Sequence, residues 1–123
     1  IYDHKNIAAE IDGEDRFVHR IDEQMASVLI GNLVKNAFLY TPEGGSIEIQ
    51  MSRTGFSISN DGNAPLDKEK VFRRFYQPSG RREGATGLGL ALVYSVCINN
   101  GLDITYDYAD GRHIFSIILK KSK

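Results

Sequence analysis

The sequence has one cysteine, no tryptophan and three prolines, and its apolar runs are short. Because a disulfide needs two cysteines, Cys97 has no partner within the chain, and its place in the apolar run LALVYSVCI favours a buried thiol. No apolar run approaches the roughly 20 residues of a membrane-spanning helix, so we expect no direct membrane contact from this chain. The formal net charge of −1 lacks the basic excess of a general nucleic-acid binder and argues against that class.

Histidine is scarce and scattered, which disfavours a metal site built from Cys and His. His4, His19 and His113 lie far apart, and none is near Cys97 at ligand spacing. We expect each to be an ordinary surface or strand histidine. The 123 residues, 41% hydrophobic and 25% charged, suit one globular domain over residues 1–123, which we expect to be a fragment of a longer protein.

The central stretch of the chain is residues 27–41. Most of it belongs to a predicted amphipathic helix, which starts after Asp22, a suitable N-cap, and ends at about Tyr40, before Pro42. Asn32 and Asn36 lie four residues apart, on or beside its apolar stripe, and point towards the core. An unpaired buried amide costs about 1–3 kcal/mol, so both amides need partners. Either a polar ligand supplies them, or Asn36 bonds a nearby backbone group and Asn32 faces water.

Alternation of apolar and polar residues predicts antiparallel hairpins. Residues 46–60 alternate around a turn at 53–55, and residues 102–108 and 112–119 flank a turn at 109–111. Two shorter β-rich runs, residues 6–11 and 16–21, predict a further hairpin around residues 12–15. Parity places Asn60 on the same side as Phe56 and Ile58, which points its amide inward at the edge of the core.

The remaining segments predict two helices and a loop. Asp67 can cap a short helix that ends at Phe72, and residues 77–86 predict a mobile loop because they contain no large apolar side chain. A second helix opens at residues 87–90 and ends near residues 99–101 with a glycine C-cap. This order of elements predicts an α+β sandwich, in which helices cover one face of a mixed sheet.

A glycine-rich helix start and a basic segment together favour a polyphosphate ligand. In EGATGLGLALV the glycines would let a polyanion approach free backbone N–H groups. Six of the fifteen Lys and Arg residues lie between positions 68 and 82, including Arg81 and Arg82. A solvated basic face alone is the ordinary explanation of such a cluster. Polyphosphates usually bring Mg²⁺, for which the side-chain oxygen of Asn36 is a suitable ligand.

Four segments follow one another along the chain: NLVKNAFLYTP at 32–42, SNDGNAPL at 59–66, VFRRFYQ at 71–77 and EGATGLGLALV at 83–93. In this order they resemble the N, G1, F and G2 boxes of the ATP-binding catalytic domain of bacterial sensor histidine kinases, in the superfamily shared with gyrase, MutL and the heat-shock chaperone ATPases. The resemblance implies a Bergerat-type two-layer α/β sandwich, with a mixed, mostly antiparallel sheet beneath about three helices.

The resemblance also implies ligands and the residues that bind them. The ligands are ATP or ADP and Mg²⁺, with Asn36 as the metal ligand and Asn32 and Asn36 as the catalytic pair. The implied nucleotide-binding positions are Asn36, Tyr40, Asn60, Asp61, Gly62, Phe75, Arg81, Arg82, Thr86, Gly87, Leu88 and Gly89. Phe72 and Phe75 would anchor the base of an ATP lid at residues 77–86.

The implied reaction is transfer of the γ-phosphoryl group to a protein side chain. Asn32 stands where the ATPase branches carry a glutamate as general base, and an amide cannot take a proton at neutral pH. The acceptor would be a histidine in a separate dimerisation domain, which these 123 residues do not contain, with a response regulator downstream. The implied location is cytoplasmic, in a parent protein that can be anchored in the bacterial inner membrane.

Several positions depart from the family pattern and leave two other hypotheses open. Asn60 replaces the adenine-binding aspartate, with Asp61 as an alternative contact, and Leu39 replaces a basic residue. Ala64 and Ala85 replace glycines. These departures favour a regulatory module with a degenerate nucleotide pocket. The third hypothesis is a serine kinase of the anti-sigma-factor type, which shares the fold and phosphorylates a separate protein.

Overall fold

The structure is a computed structural model that describes residues 8–12, 21–76 and 87–120. In these ranges the elements are, in chain order, β1 Ala8–Asp12, α1 Glu23–Tyr40, β2 Ser46–Ser52, β3 Gly55–Asp61, α2 Gly89–Asn99, β4 Leu102–Ala109 and β5 Arg112–Leu119. The strands form one sheet in the order β1-β2-β3-β5-β4, with β1 parallel to β2 and every other neighbouring pair antiparallel. The predicted α+β class with a mixed, mostly antiparallel sheet is confirmed.

The core lies between the two helices and one face of the sheet. α1 packs on β3, α2 packs on β4, and the helices pack on each other. α1 buries Leu29, Leu33 and Ala37 at helical spacing, while β5 buries Phe115 and Ile117 at the strand period of two. Each element therefore presents one apolar face to a shared interior.

The ends of α1 follow from local chemistry, as the sequence predicted. The carboxylate of Asp22 accepts hydrogen bonds from the backbone N–H groups of Gln24 at 3.1 Å and Met25 at 3.3 Å. These bonds satisfy donors that have no partner within the helix. The helix ends at Tyr40, because the residue before Pro42 avoids the helical region.

Cys97 is fully buried in α2, which confirms the predicted structural thiol. Burial, with a smaller contribution from Asp103, raises the pKa of the thiol to about 11. At neutral pH the side chain is therefore a protonated, apolar part of the core.

The short helix predicted from Asp67 to Phe72 is wrong. Val71 donates to the carbonyl of Asp67 at 2.8 Å, but the next bond, from Arg73 to Lys70, spans only three residues, and the segment continues as turns. Asp67 does cap this turn, since its carboxylate accepts from the backbone of Glu69 at 2.9 Å. The described ranges thus contain two α-helices where the resemblance implied about three.

Two predicted features fall largely outside the described residues. The hairpin over residues 6–21 includes residues 13–20, which are not described, and β1 within it pairs in parallel with β2. The predicted loop at residues 77–86 is not described. In the part of the chain that is described, neither helix has the length and apolar character needed to cross a membrane.

Candidate functional site

A cleft opens between α1, the start of α2 and the segment that follows β3. Its outer chamber is lined by Asn32, Lys35, Asn36, Leu39, Tyr40, Val71, Tyr76, Gly87, Gly89 and Leu90. Its inner chamber is lined by Asn36, Tyr40, Asn60, Leu66, Tyr76, Leu90, His113 and Phe115. The chambers adjoin, because both are bordered by Asn36, Tyr40, Tyr76 and Leu90.

α1 presents Asn32, Asn36 and Tyr40 to the cleft, because residues four apart lie on one face of a helix. The Asn32 amide donates to the carbonyl of Val28 at 2.7 Å, so its nitrogen is bound within the helix. The half-buried Asn36 amide borders both chambers and has no hydrogen-bond partner among the described residues. Of the two predicted amides, Asn36 is therefore the one whose oxygen and nitrogen both lack a partner among the described residues.

The inner chamber has a polar end built from two neighbouring strands. Asn60 on β3 and His113 on β5 are directly paired in register, and they are 2% and 7% exposed. The Asn60 amide nitrogen donates to the carbonyl of Asp61 at 3.1 Å, which leaves its oxygen as an acceptor. The inward orientation of Asn60 predicted from strand parity is confirmed.

His113 is bound by Tyr106 through Nδ1. The Tyr106 hydroxyl lies 2.8 Å from this nitrogen and also accepts the backbone N–H of Leu66 at 2.9 Å. Burial lowers the pKa of His113, so the imidazole is neutral at physiological pH. His113 is not among the predicted contacts, although the alternation of His113, Phe115 and Ile117 along β5 is a pattern that identifies the inward face.

Asp61 lies on the opposite face of β3 and lines neither chamber. Its carboxylate accepts from the backbone N–H of Ser46 at 2.7 Å and from the Arg112 guanidinium at 2.8 Å. Arg112 also donates to the carbonyl of Ser59 at 3.2 Å. This network joins β2, β3 and β5 on the outer face of the sheet, so both oxygens of Asp61 are already engaged there.

Phe75 and Gly87, the predicted positions at the base of the lid, meet through their backbones. The N–H of Phe75 donates to the carbonyl of Gly87, and both residues have positive φ, 66° and 74°. A Cβ on residue 87 would lie 2.5 Å from Cα of Phe75, so glycine is required at this approach. The Phe75 side chain is 70% exposed and does not line the cleft, whereas Phe72 stacks on Tyr94 at 5.6 Å between ring centroids.

The first turn of α2 closes the outer chamber. Its N-cap residue is Leu88, whose side chain cannot accept a hydrogen bond, and no side-chain cap bond to this helix end occurs among the described residues. A Cβ on Gly89 would lie 3.0 Å from Oδ1 of Asn32, which shows how closely the two helices approach here. Lys35 on the rim adds positive charge. Together, the helix end, the small residue and the lysine suit an anionic ligand.

The other predicted positions divide into two groups. Gly62 and Leu88 are described but line neither chamber, while Arg81, Arg82 and Thr86 lie outside the described residues. Five residues that line the inner chamber were not predicted as contacts, because they come from separate turns, strands and a helix that only the fold brings together: Leu66, Tyr76, Leu90, His113 and Phe115.

The chemistry of the cleft is that of a binding site for a flat ring joined to an anionic group. The inner chamber combines aromatic and aliphatic walls with two buried polar side chains, and the outer chamber offers amides, a lysine and the first turn of α2. No cluster of three or more His, Cys, Asp or Glu side chains occurs in residues 8–12, 21–76 and 87–120. A cation bound here would therefore take most of its oxygen ligands from the bound molecule or from water.

Residues 21–123 match the sequence profile of the family described as histidine kinase-, DNA gyrase B-, and HSP90-like ATPase. The chain belongs to this family. ATP is the ligand that this membership implies. The resemblance to the ATP-binding catalytic domain of sensor histidine kinases, drawn from the four motifs, is confirmed.

Curated relatives of this ATPase-family chain include sensor kinases. The sensor-like histidine kinase SenX3 of Mycobacterium tuberculosis (strain H37Rv) is 36% identical over 88 residues, which cover 64% of this chain and 22% of SenX3. The sensor protein QseC of Escherichia coli (strain K12) is 27% identical over 88 residues, which cover 70% of this chain and 20% of QseC. The chain thus spans about a fifth of the length of these relatives.

Solved structures show the same fold. The mycobacterial sensor histidine kinase MprB superposes with a TM-score of 0.79 at 23% identity, covering 96% of this chain and 91% of that one. The catalytic domain of histidine kinase ThkA superposes with a TM-score of 0.78 at 23% identity, covering 97% and 82%. At this level of identity the comparison establishes the architecture of the ATPase-family domain.

Proposed function

We propose that this chain is the ATP-binding half of a sensor histidine kinase, which holds Mg-ATP while a histidine on a separate dimerisation domain accepts the γ-phosphoryl group. The observation that carries the proposal is the position of Asn36. Its amide borders both the inner chamber, which suits a flat ring, and the outer chamber, which suits an anionic group. It has no partner among the described residues. That is where a group would have to lie to contact a nucleotide between its base and its phosphates.

In this proposal the inner chamber takes the adenine base. Asn60 is the base contact, because its side-chain oxygen remains an acceptor for the adenine amino group. Asp61, the alternative contact, faces away and is bound to Arg112 and Ser46, which supports Asn60 in this role. Tyr40 and Tyr76 provide aromatic surface beside the base.

The outer chamber takes the phosphates and Mg²⁺. Asn36 supplies one oxygen to the metal, and the phosphates and water supply the others, in keeping with the preference of Mg²⁺ for few protein ligands. Gly87 and Gly89 admit the phosphates to the start of α2, and Lys35 on the rim contributes charge in place of the basic residue that Leu39 replaces. Arg81, Arg82, Thr86 and Leu88 stay predicted contacts of the nucleotide.

Asn32 favours phosphoryl transfer over hydrolysis. A hydrolytic enzyme needs a group that takes a proton from water, and the amide of Asn32 cannot do so at neutral pH. Its nitrogen is bound to the carbonyl of Val28, so it supports the site through the helix that carries Asn36. In the transfer, a nitrogen of the acceptor histidine bonds to the γ-phosphorus while the bond to the β–γ bridging oxygen breaks and ADP leaves.

The partners in this proposal lie outside the chain. The acceptor histidine belongs to the dimerisation domain of the parent protein, and a response regulator receives the phosphoryl group next. The similar histidine kinase ThkA has been solved in complex with the response regulator protein TrrA, and the similar ShkA in complex with AMPPNP. We place the domain in the cytoplasm, in a parent protein that can be anchored in the bacterial inner membrane.

A second candidate function is a regulatory module that does not turn over ATP. The observation that favours it is Leu39, an apolar side chain on the wall of the outer chamber, where the resemblance implies a basic residue. An apolar group at this position would weaken binding of the phosphates. Such a module would bind a partner protein without transferring phosphate.

The first experiment is calorimetric titration of this chain with ADP and with a non-hydrolysable ATP analogue, each with and without Mg²⁺. We expect binding in the micromolar to sub-millimolar range, strengthened by Mg²⁺ for the triphosphate. Absence of binding at millimolar nucleotide would overturn the kinase proposal and favour the regulatory module.

The second experiment follows the phosphoryl group in the full-length parent protein, incubated with γ-labelled ATP. A sensor histidine kinase labels its own histidine, and the product is labile in acid and stable in alkali. Label that is stable in acid, on a serine of a separate protein, would instead support the anti-sigma-type kinase.

A further inference from the structure

Leu66 forms part of the wall of the inner chamber, yet it lies in a loop that belongs to no strand or helix. Its backbone N–H donates to the Tyr106 hydroxyl at 2.9 Å. The next residue, Asp67, donates its N–H to the Tyr76 hydroxyl, also at 2.9 Å. Two tyrosine hydroxyls therefore hold the backbone that positions this wall.

The Tyr106 hydroxyl has a second partner, and the direction of both bonds can be assigned. A backbone N–H can only donate, so the Tyr106 oxygen accepts from Leu66. The Tyr106 hydroxyl has one hydrogen to donate, and we assign it to Nδ1 of His113, 2.8 Å away, in the imidazole tautomer that is protonated at Nε2. Nδ1 is then the acceptor nitrogen of a neutral imidazole. Tyr106 is 5% exposed and His113 is 7% exposed, so water does not compete well for these bonds.

His113 is itself fixed in place by its neighbours. A Cβ on Gly62 would overlap the imidazole ring, so the ring packs directly on the backbone of the loop that leads to Leu66. The Tyr108 ring lies 5.2 Å from the imidazole, centroid to centroid, and its hydroxyl donates to the carbonyl of Gly62 at 2.8 Å. The imidazole thus connects the floor of the chamber to both ends of the segment from Gly62 to Leu66.

We propose that Tyr106 and His113 form a positioning pair that determines how selectively the inner chamber holds a nucleotide base. By fixing the backbone at Leu66, the pair sets the position of this wall relative to Tyr40 and Leu90, which line the same chamber. The chemical class concerned is the purine ring of a nucleoside diphosphate or triphosphate. This inference rests on the proposed nucleotide site. It adds two residues that affect binding of the nucleotide base and not binding of the phosphates.

The test compares Tyr106→Phe with Tyr94→Phe in the intact chain. The first variant removes only the hydroxyl that bonds to Leu66 and His113. The second removes a hydroxyl from a tyrosine on α2 that is 44% exposed and lies outside the cleft. Circular dichroism first establishes a temperature at which each protein is folded. Calorimetry then gives the dissociation constants for ADP and GDP.

We expect Tyr106→Phe to weaken ADP binding by roughly five- to tenfold, the effect of losing about one buried hydrogen bond, and to reduce the preference for ADP over GDP. Tyr94→Phe should bind both nucleotides as the wild type does. A role confined to folding would lower the melting temperature of Tyr106→Phe and leave the ratio of the two dissociation constants unchanged, which would overturn the proposal.

A second pair of variants tests the acceptor on His113. Asn and Leu have similar shapes, but only Asn offers an oxygen to the Tyr106 hydroxyl, so His113→Asn should retain more of the preference for ADP than His113→Leu. Equal preferences for ADP over GDP in the two variants would contradict the proposed role of the hydrogen bond between Tyr106 and His113. Wild-type protein that binds neither ADP nor GDP would overturn the proposed function itself, whereas wild-type binding with unchanged selectivity in every variant overturns only this inference.

Discussion

Gly62 and His113 are in direct contact, and the imidazole occupies the space that any side chain at residue 62 would need. A Cβ on residue 62 would lie 2.1 Å from Nε2 and 2.3 Å from Cδ2 of His113, so the neighbours would have to move to accept even a methyl group. The glycine of the G1 motif is therefore required here for packing on β5.

Gly62→Ala should destabilise the fold by about 1–3 kcal/mol, the usual cost of overpacking a filled site. Thermal unfolding followed by circular dichroism measures the change. Gly31→Ala is the matched control, because Gly31 lies within α1 with open space around it, and alanine there should stabilise by roughly 0.5–1 kcal/mol. Equal melting temperatures for the wild type and Gly62→Ala would contradict the contact.

Asp61→Ala should lower stability without weakening nucleotide binding. The variant loses the bonds from Arg112 and Ser46, which we expect to cost about 1–2 kcal/mol because both partners are only partly buried. Chemical denaturation measures the loss, and calorimetry with ADP should show an affinity close to that of the wild type. A large loss of ADP affinity in the folded variant would make Asp61 the base contact.

Asn60→Asp should tighten adenine nucleotides by roughly three- to tenfold, since a charged acceptor makes a stronger hydrogen bond to the adenine amino group. The same change removes the amide that donates to the carbonyl of Asp61 and buries a carboxylate, so unliganded protein should lose about 1–2 kcal/mol. Titration with ADP and a thermal melt separate the two effects. Loss of ADP binding would place the base contact elsewhere.

Asn36→Ala should abolish the strengthening of triphosphate binding by Mg²⁺ while the fold stays intact. The side chain is half-buried at the cleft and lies outside the buried core, so its removal leaves the packing of α1 unchanged. We expect the Mg²⁺-dependent affinity to fall by roughly tenfold or more. Unchanged affinity for the non-hydrolysable ATP analogue with Mg²⁺ would refute the metal-binding role.

His113 should make the stability of the domain fall as the pH decreases below the ordinary histidine pKa of 6.5. Its pKa is lowered by burial from the ordinary value of 6.5, so the unfolded chain binds a proton at a higher pH than the folded protein does. The stability that His113 contributes is therefore complete above pH 6.5 and is lost as the pH falls towards the folded pKa. Denaturation at several pH values should show a shallower slope for His113→Asn; an identical slope would contradict the buried neutral imidazole.

Local sequence was sufficient for most of the secondary structure. Asp22 and Pro42 bound α1 through capping and steric exclusion, and alternation placed β3, β4 and β5 to within a residue. Parity alone predicted that Asn60 points inward. These features depend on neighbours a few residues away, which is why the sequence reveals them.

The helix predicted after Asp67 does not form, because the contacts that fix this segment come from residues outside it. The backbone N–H groups of Leu66 and Asp67 are held by the hydroxyls of Tyr106 and Tyr76, and those long-range bonds fix the entry to the segment. Capping by Asp67 stabilises one turn, and tertiary contacts then determine the backbone conformation of the residues that follow.

Residue types and their spacing along the chain predict most of the elements, the four motifs and the family. The pairing of distant strands, in contrast, places Asn60 in the cleft while its neighbour Asp61 binds Arg112, 51 residues away. The same pairing buries His113, ordinary in sequence, at the end of the chamber. Burial and side-chain pairing depend on which strands become neighbours in the sheet, and β3 pairs with β5 across an intervening helix and strand.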